Sequence, residues 1–278
     1  MHVDEPTAPN NAAADSLWLT AELDTVIRSM HVAEITYPGT RLDLPDHDLA
    51  FELEGMLRNL EDRVAEAAIA LTMFESSANS RADPRAEWER DAHIRQEVDN
   101  HLRAEVGDAY FHDSDRYRLE SERRVLRKKA ELGIVPQTYS HKVPFIHAHS
   151  FVYAVDSFGR FLDEICNYDT IPQGVSEARD EFDRRLPMVR KIRNSAMHLE
   201  DRSRRYASAN DRRKGKRMNV QGFLGLSNLE GNLLCYTIDD GTYQKIAISQ
   251  DTLRVLVETV NKVLHAFPWK GPPHVAPS

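Results

Sequence analysis

The sequence predicts a mainly α-helical fold: a helical bundle with a small antiparallel β-meander inserted before its last helix. Three observations carry this. Apolar residues recur every three or four positions over about residues 48–77 and again from Pro144, the spacing of amphipathic helices. Between Gln221 and Ile248 the pattern changes to short strand-forming runs separated by turn residues. A serine-capped amphipathic stretch then begins at Ser249.

The elements follow in order. Residues 1–14 are acidic and polar and are expected to be disordered, as is the Pro-rich tail, residues 269–278. Leu53, Met56, Leu57, Leu60, Val64, Ala67, Leu71 and Phe74 place a helix over about 48–77. Asp83-Pro84 reads as the start of a second, running to about Leu102. A third begins near Ser114 and ends at Leu132-Gly133, with Pro136 just beyond. Residues 15–137 thus form a helical N-terminal region to which no function is assigned, and residues 138–268 a second domain.

In that second domain, Ala148, Phe151, Val155, Phe158, Leu162 and Ile165 share one face of a long helix entered at Pro144. Asp156 and Glu164 on the same helix could assist a site, but read first as solvated carboxylates. After a turn at Ile171 to Gly174, helical spacing continues to about Arg202, restarting at Pro187. A polar, basic loop runs from Arg202 to Met218. Three strands are expected at Gln221 to Leu226, Leu233 to Ile238 and Tyr243 to Ile248, with turns at Glu230-Gly231-Asn232 and Asp239-Asp240-Gly241-Thr242. Leu253, Leu256, Val257, Val260 and Leu264 complete the last helix.

Composition limits the function classes. With 278 residues, 41 % hydrophobic and 29 % charged, the chain has the make-up of a globular protein able to bury a substantial core. Cys166 and Cys235 lie far apart, without the spacing of a zinc site or disulfide framework, so a reducing, cytoplasmic setting is expected. The N-terminus lacks the basic and apolar regions of a signal peptide, and no apolar run approaches the roughly 20 residues that span a bilayer. A phosphate loop and a dinucleotide fingerprint are both missing. His147 and His149 diverge by about 200° on a helix, which argues against a shared metal. No metal or other cofactor is expected.

The formal net charge of −8 hides an uneven distribution. Arg184 to Arg217 holds thirteen Lys or Arg against three Asp or Glu, a local +10 that leaves −18 for the remainder. Such a segment can attract a polyanion whatever the total. Within it, at about 100° per residue, Met188, Val189, Ile192, Ser195, Ala196 and Leu199 form the core-facing stripe of a helix. Arg190, Lys191, Arg193, Asn194 and His198 point away from that stripe, and Met197 lies among them. An apolar side chain there implies that something covers this face, most economically a second copy.

Arg193-Asn194-Ser195-Ala196-Met197-His198 resembles the R-x4-6-H signature of HEPN domains, with Asn194 as the polar residue that commonly follows the arginine. Arg41 to His47 and Arg95 to His101 also fit the loose spacing. Only the third match follows a long apolar helix, carries the asparagine and runs into the basic loop. The resemblance covers about residues 140–268. It implies a helical fold, a dimer-interface site and metal-independent cleavage of RNA, with Arg193, Asn194 and His198 as catalytic residues. Arg190, Lys191, Arg202, Arg204, Arg205, Arg212 and Arg213 would bind RNA, and Met197 would lie in the homodimer interface. Such domains occur in toxin–antitoxin modules, abortive-infection systems and RNA-targeting CRISPR effectors, so an antitoxin or regulatory protein is a further possible partner. Leu199-Glu200 stands where many toxin-type members place a tyrosine, a departure from that subgroup.

The chemistry suits these residue types. Transesterification of RNA needs a base for the 2′-hydroxyl, positive charge at the phosphorane and an acid for the leaving 5′-oxygen. Histidine ordinarily titrates near 6.5, within reach of both proton steps, and arginine offers a planar fork to two phosphate oxygens. One protomer contributes one such histidine, so pairing would supply both acid and base. The alternatives are a non-catalytic module that binds RNA, nucleotide or protein, and a purely structural dimerisation protein.

Overall fold

The computed structural model describes residues 30–79 and 83–277, so the disorder expected for residues 1–14 lies outside the described residues, as do residues 15–29 of the helical region. The fold is mainly α-helical with small antiparallel sheets. The chain divides into two compact units, one of residues 30–74 with His147 onward and the other Glu75–Ile146. This differs from the expected division at residue 137. The first long helix, α1 (His47–Asn79), contributes Leu53, Leu57, Leu60, Val64, Ala67, Leu71 and Phe74 to the same buried core as the C-terminal elements. Its apolar stripe belongs to that core and not to a separate N-terminal one.

In the larger unit, two short strands, β1 (Ile35–Tyr37) and β2 (Arg41–Leu42), precede α1. The central helix, α6 (Val143–Cys166), buries a broader face than the periodicity implied, including Val152, Ala154, Asp156 and Gly159. Gly159 is required by packing, because a Cβ there would stand 2.9 Å from the Phe182 ring. Next come α7 (Gln173–Arg185) and α8 (Val189–Met197). The helix expected to continue through Arg202 stops at Met197. His198 adopts φ −117° and ψ 43°, and a single turn, α9 (Leu199–Arg202), restarts beyond it.

The basic segment 202–218 is not wholly loop, since α10 (Ala209–Arg213) forms behind an Ser208 cap that accepts from the Asp211 amide. The meander is β3 (Asn228–Glu230), β4 (Leu233–Thr237) and β5 (Tyr243–Ala247), in that order. Glu230 pairs with Leu233 across Gly231-Asn232, and Thr237 pairs with Tyr243. The strand expected at Gln221 to Leu226 does not form. Gly222 sits at φ +83°, and the stretch instead lays isolated bonds along the meander: Gln221 N to Gly241 O, Gly225 N to Thr237 Oγ1, and Thr237 N to Gly225 O. Ser249 caps α11 (Gln250–Ala266) by accepting from the Thr252 amide, and α11 packs on α7 and β1.

The tail is ordered, contrary to expectation. β6 (Trp269–Lys270) pairs with β2, and β7 (His274–Ala276) pairs with β1. Pro268, Pro272, Pro273 and Pro277 flank the paired residues without occupying them, so the ladders lose no donor. Trp269 donates to Leu264 O at 2.7 Å, and the Tyr37 and His274 rings stack at 4.7 Å.

The smaller unit holds α2 (Pro84–Val106), a turn α3 (Ala109–His112), α4 (Ser114–Glu131) and a turn α5 (Gln137–Ser140). Asp83 caps α2 as its sequence implied, accepting from the Arg85 amide at 3.0 Å. The buried cluster is small: Ile94, Val98 and Val125, with Ile134 against it.

Candidate functional site

Two facing helix surfaces in the larger unit build the site. Asp156, Arg160 and Asp163 stand at i, i+4 and i+7 of α6, one polar stripe beside the helix's buried apolar face. Opposite them, Arg190 and Arg193 stand three apart on α8.

Asp156 is the hub and is only 3 % exposed. Its Oδ2 accepts from Arg193 Nε at 2.7 Å, lies 2.6 Å from Arg193 Nη2, and accepts from Arg160 Nε at 3.0 Å. Its Oδ1 faces Arg190 Nε at 3.4 Å. A carboxylate removed from water is stable only when its charge is matched and its lone pairs are filled, and three guanidinium groups do both. It is not the solvated carboxylate expected, whereas Glu164 on the same helix is exposed.

Arg193, expected to point away from the core, instead turns onto α6: its side chain is 14 % exposed and clamped on Asp156. With Nε and Nη2 engaged, Nη1 has no carboxylate partner among the described residues. Arg190 is half-exposed and bonds Asp163 at 2.9 Å, and that carboxylate raises its pKa above the ordinary guanidinium value. Asp163 also accepts from Arg179 at 3.0 Å.

A cleft of about 450 Å³ opens beside the hub, lined by Asp156, Asp163, Arg179, Phe182, Arg190, Lys191 and Asn194 among others. Three residues expected in the site, Arg190, Lys191 and Asn194, thus share it. Lys191 also lies 3.8 Å from Asp240. Arg193 and His198 are not part of the cleft lining. His198 stands at the break after α8, its side chain 58 % exposed and its Nδ1 3.8 Å from Glu200 Oε1. Met197 and Leu199 on either side are exposed, at 59 % and 41 %.

The residues expected to bind RNA divide. Arg202 is buried, donating to Ser195 Oγ at 3.2 Å and Tyr206 O at 2.7 Å, and burial lowers its pKa. It is a structural strut and does not face a ligand. Arg212 is committed to the buried Asp201 at 2.7 Å. Arg204 binds Glu200 O at 2.8 Å and lies 3.8 Å from Asp201. Arg205 and Arg213 are exposed.

Sequence reading missed Arg160, Asp163 and Arg179, and weighed Asp156 chiefly as a solvated carboxylate. The polar stripe on α6 was a visible signal, but its burial was not. His149, set aside as a metal ligand, meets the Tyr236 hydroxyl at 2.6 Å between its Nε2 and that oxygen, and burial lowers its pKa. Among the described residues no cluster of ligating side chains is arranged to hold a metal ion, and no helix is long and apolar enough to cross a membrane. No family model, curated protein or solved structure matches the chain.

Proposed function

We propose that this protein is a metal-independent endoribonuclease of HEPN type, cutting RNA at an Arg193/Asn194/His198 site completed by a second copy of the chain. The observation that carries the reading is a held arginine on α8 with an accessible histidine at the break that ends the same helix. Asp156 fixes the Arg193 guanidinium, and His198 stands in solvent at the helix break, flanked by exposed Met197 and Leu199. An ion cluster buried at this cost is weak evidence for stability, since apolar packing would serve as well, which supports a role beyond packing. The apolar pair beside His198 supports coverage by a partner.

In this reading one histidine takes the proton of the 2′-hydroxyl, and the 2′-oxygen attacks phosphorus. The P–O5′ bond breaks, and the symmetry-related histidine protonates the leaving oxygen. Arg193 and Asn194 stabilise the phosphorane. The products are a 2′,3′-cyclic phosphate and a 5′-hydroxyl. A cytoplasmic toxin or phage-defence effector, held in check by an antitoxin or regulatory protein, is the setting in which such an activity would operate.

The burial of Arg193 favours a second reading, in which the Asp156 cluster is structural and the chain binds RNA, nucleotide or a protein without cutting. The test is incubation of the full chain with single-stranded RNA in EDTA, comparing wild type, Arg193→Ala and His198→Ala, with product ends identified and oligomeric state measured. Cleavage by a dimer that His198→Ala abolishes without unfolding is the expected result. An inert wild type that still binds RNA with a steep salt dependence would establish the module instead.

A further inference from the structure

The basic loop after α9 closes into a small hollow of about 250 Å³ lined by Ser203, Arg204, Arg205, Tyr206 and Arg217. Two sets of backbone bonds shape it. Arg205 N donates to Arg202 O and Tyr206 N to Asp201 O, both at 2.9 Å, ending α9 in a tight reversal. Met218 N then donates to Arg205 O at 2.7 Å, returning the chain so that Arg217 enters the same hollow as Arg205, twelve positions earlier.

The reversal needs a left-handed residue, a position at which glycine is unstrained. Arg205 fills it at φ +63° and is the only described non-glycine with positive φ. A β-carbon-bearing residue held in that conformation stores strain, so the side chain has a use that glycine would forfeit. The charges point to the use. Neighbouring Arg202 and Arg212 are satisfied by protein groups, and Arg204 is half-satisfied. Arg205 and Arg217 are exposed and make no ion pair among the described residues. Residues 203–217 hold seven Lys or Arg against one carboxylate, Asp211, which bonds the Ser208 hydroxyl. Converging guanidinium groups repel one another until an anion with several acceptor oxygens bridges them, and a phosphate matches their fork geometry.

We propose that Arg204, Arg205 and Arg217 form a phosphate-binding subsite that grips one backbone phosphate of single-stranded RNA, set apart from the Arg193/His198 group. The ligand's identity rests on the RNA reading above; the anion site itself rests on the hollow. Tyr206 places an aromatic ring of the kind on which a base stacks in the same lining.

The test uses the full chain with a 2′-O-methyl 12-mer, which cannot be cleaved, and separately with inorganic phosphate. Arg205→Gln and Arg217→Gln are each expected to weaken the 12-mer by about tenfold at low salt and to lower the salt slope by about 0.7, the loss of one single-strand phosphate contact. Lys214→Gln, which removes the same charge from outside the hollow, should do several-fold less. Arg205→Gly carries the distinguishing signature: a higher melting temperature, because strain is released, with weakened binding. The proposal falls if Arg205→Gln and Arg217→Gln match Lys214→Gln, or if Arg205→Gly binds as wild type; cleavage persisting in that case leaves the ribonuclease reading intact. Should the wild type ignore RNA while inorganic phosphate shifts the amide resonances of residues 203–206 and 217, and Arg205→Gln removes those shifts, the anion site stands and the RNA reading fails. Indifference to both ligands overturns both.

Discussion

The two compact units use the same pairs of residues to opposite effect. In the smaller unit, α2 and α4 are joined by Arg124–Glu105 at 2.8 Å, Lys128–Glu97 at 3.2 Å and Lys129–Asp91 at 2.6 Å, around a small set of buried apolar residues, Ile94, Val98, Leu102 and Val125. Hydrogen bonds from Arg124 hold the Glu105 and Glu120 carboxyls below their usual range, yet these groups stay in water, where solvent and salt screen the attraction. In the larger unit, Asp156 is 3 % exposed under α8 and shares its burial with Arg193, while Arg160 and Arg190 reach it from half-exposed positions. An exposed pair can lose a member and be rehydrated. A buried one leaves an orphan charge. What an Arg–carboxylate contact is worth is therefore set by what covers it, not by its length.

Breaking the buried cluster gives the largest expected effect. Asp156→Ala removes the partner of a largely buried arginine and should destabilise the larger unit by about 3–5 kcal/mol in denaturant unfolding. A loss no greater than that of a surface substitution would mean that Arg193 finds water. Next is the apolar core of the same unit: Leu162 has no exposed surface, and Leu162→Ala should cost about 2–5 kcal/mol. Val98→Ala in the smaller unit should cost about 1–2 kcal/mol, from fewer methyl groups in a thinner core. Hydrogen exchange should show that loss confined to amides of α2 and α4.

A pH effect is smaller and has a defined sign. Burial lowers the pKa of His149 in the folded chain, so between that value and about 6.5 the unfolded chain binds the extra proton. Stability is full above about pH 6.5 and declines as pH falls through that window. His149→Gln should flatten the acid limb of a melting-temperature profile, and an unchanged limb would remove His149 as its cause. Least of all, Arg124→Gln should leave the melting temperature where it was, and what difference exists at low salt should vanish at 1 M.

Legibility followed the same divide. The Asp83 and Ser249 caps, the stop at Gly133, and the stripes of α1 and α6 were readable because each signal lies within a few residues of the structure it creates. The strand at Gln221 to Leu226 failed because its hydrogen bonds go singly to Gly241 and Thr237. The tail was misjudged because prolines were counted without regard to which positions need a donor. Of the candidate site, the arginine and histidine were proposed from their spacing and setting, and the carboxylate that holds the arginine was read first as a solvated one.

By itself the sequence determined the helical content, the place of the meander and the concentration of positive charge between Arg184 and Arg217, all properties of neighbouring residues and their period. Tertiary structure alone decided which of those charges remain available. Arg193 meets Asp156 across 37 positions, Arg202 is sealed on Ser195 and Tyr206, and Arg205 and Arg217 line one open hollow. Desolvation depends on what the rest of the chain lays over a side chain, and no local pattern encodes that.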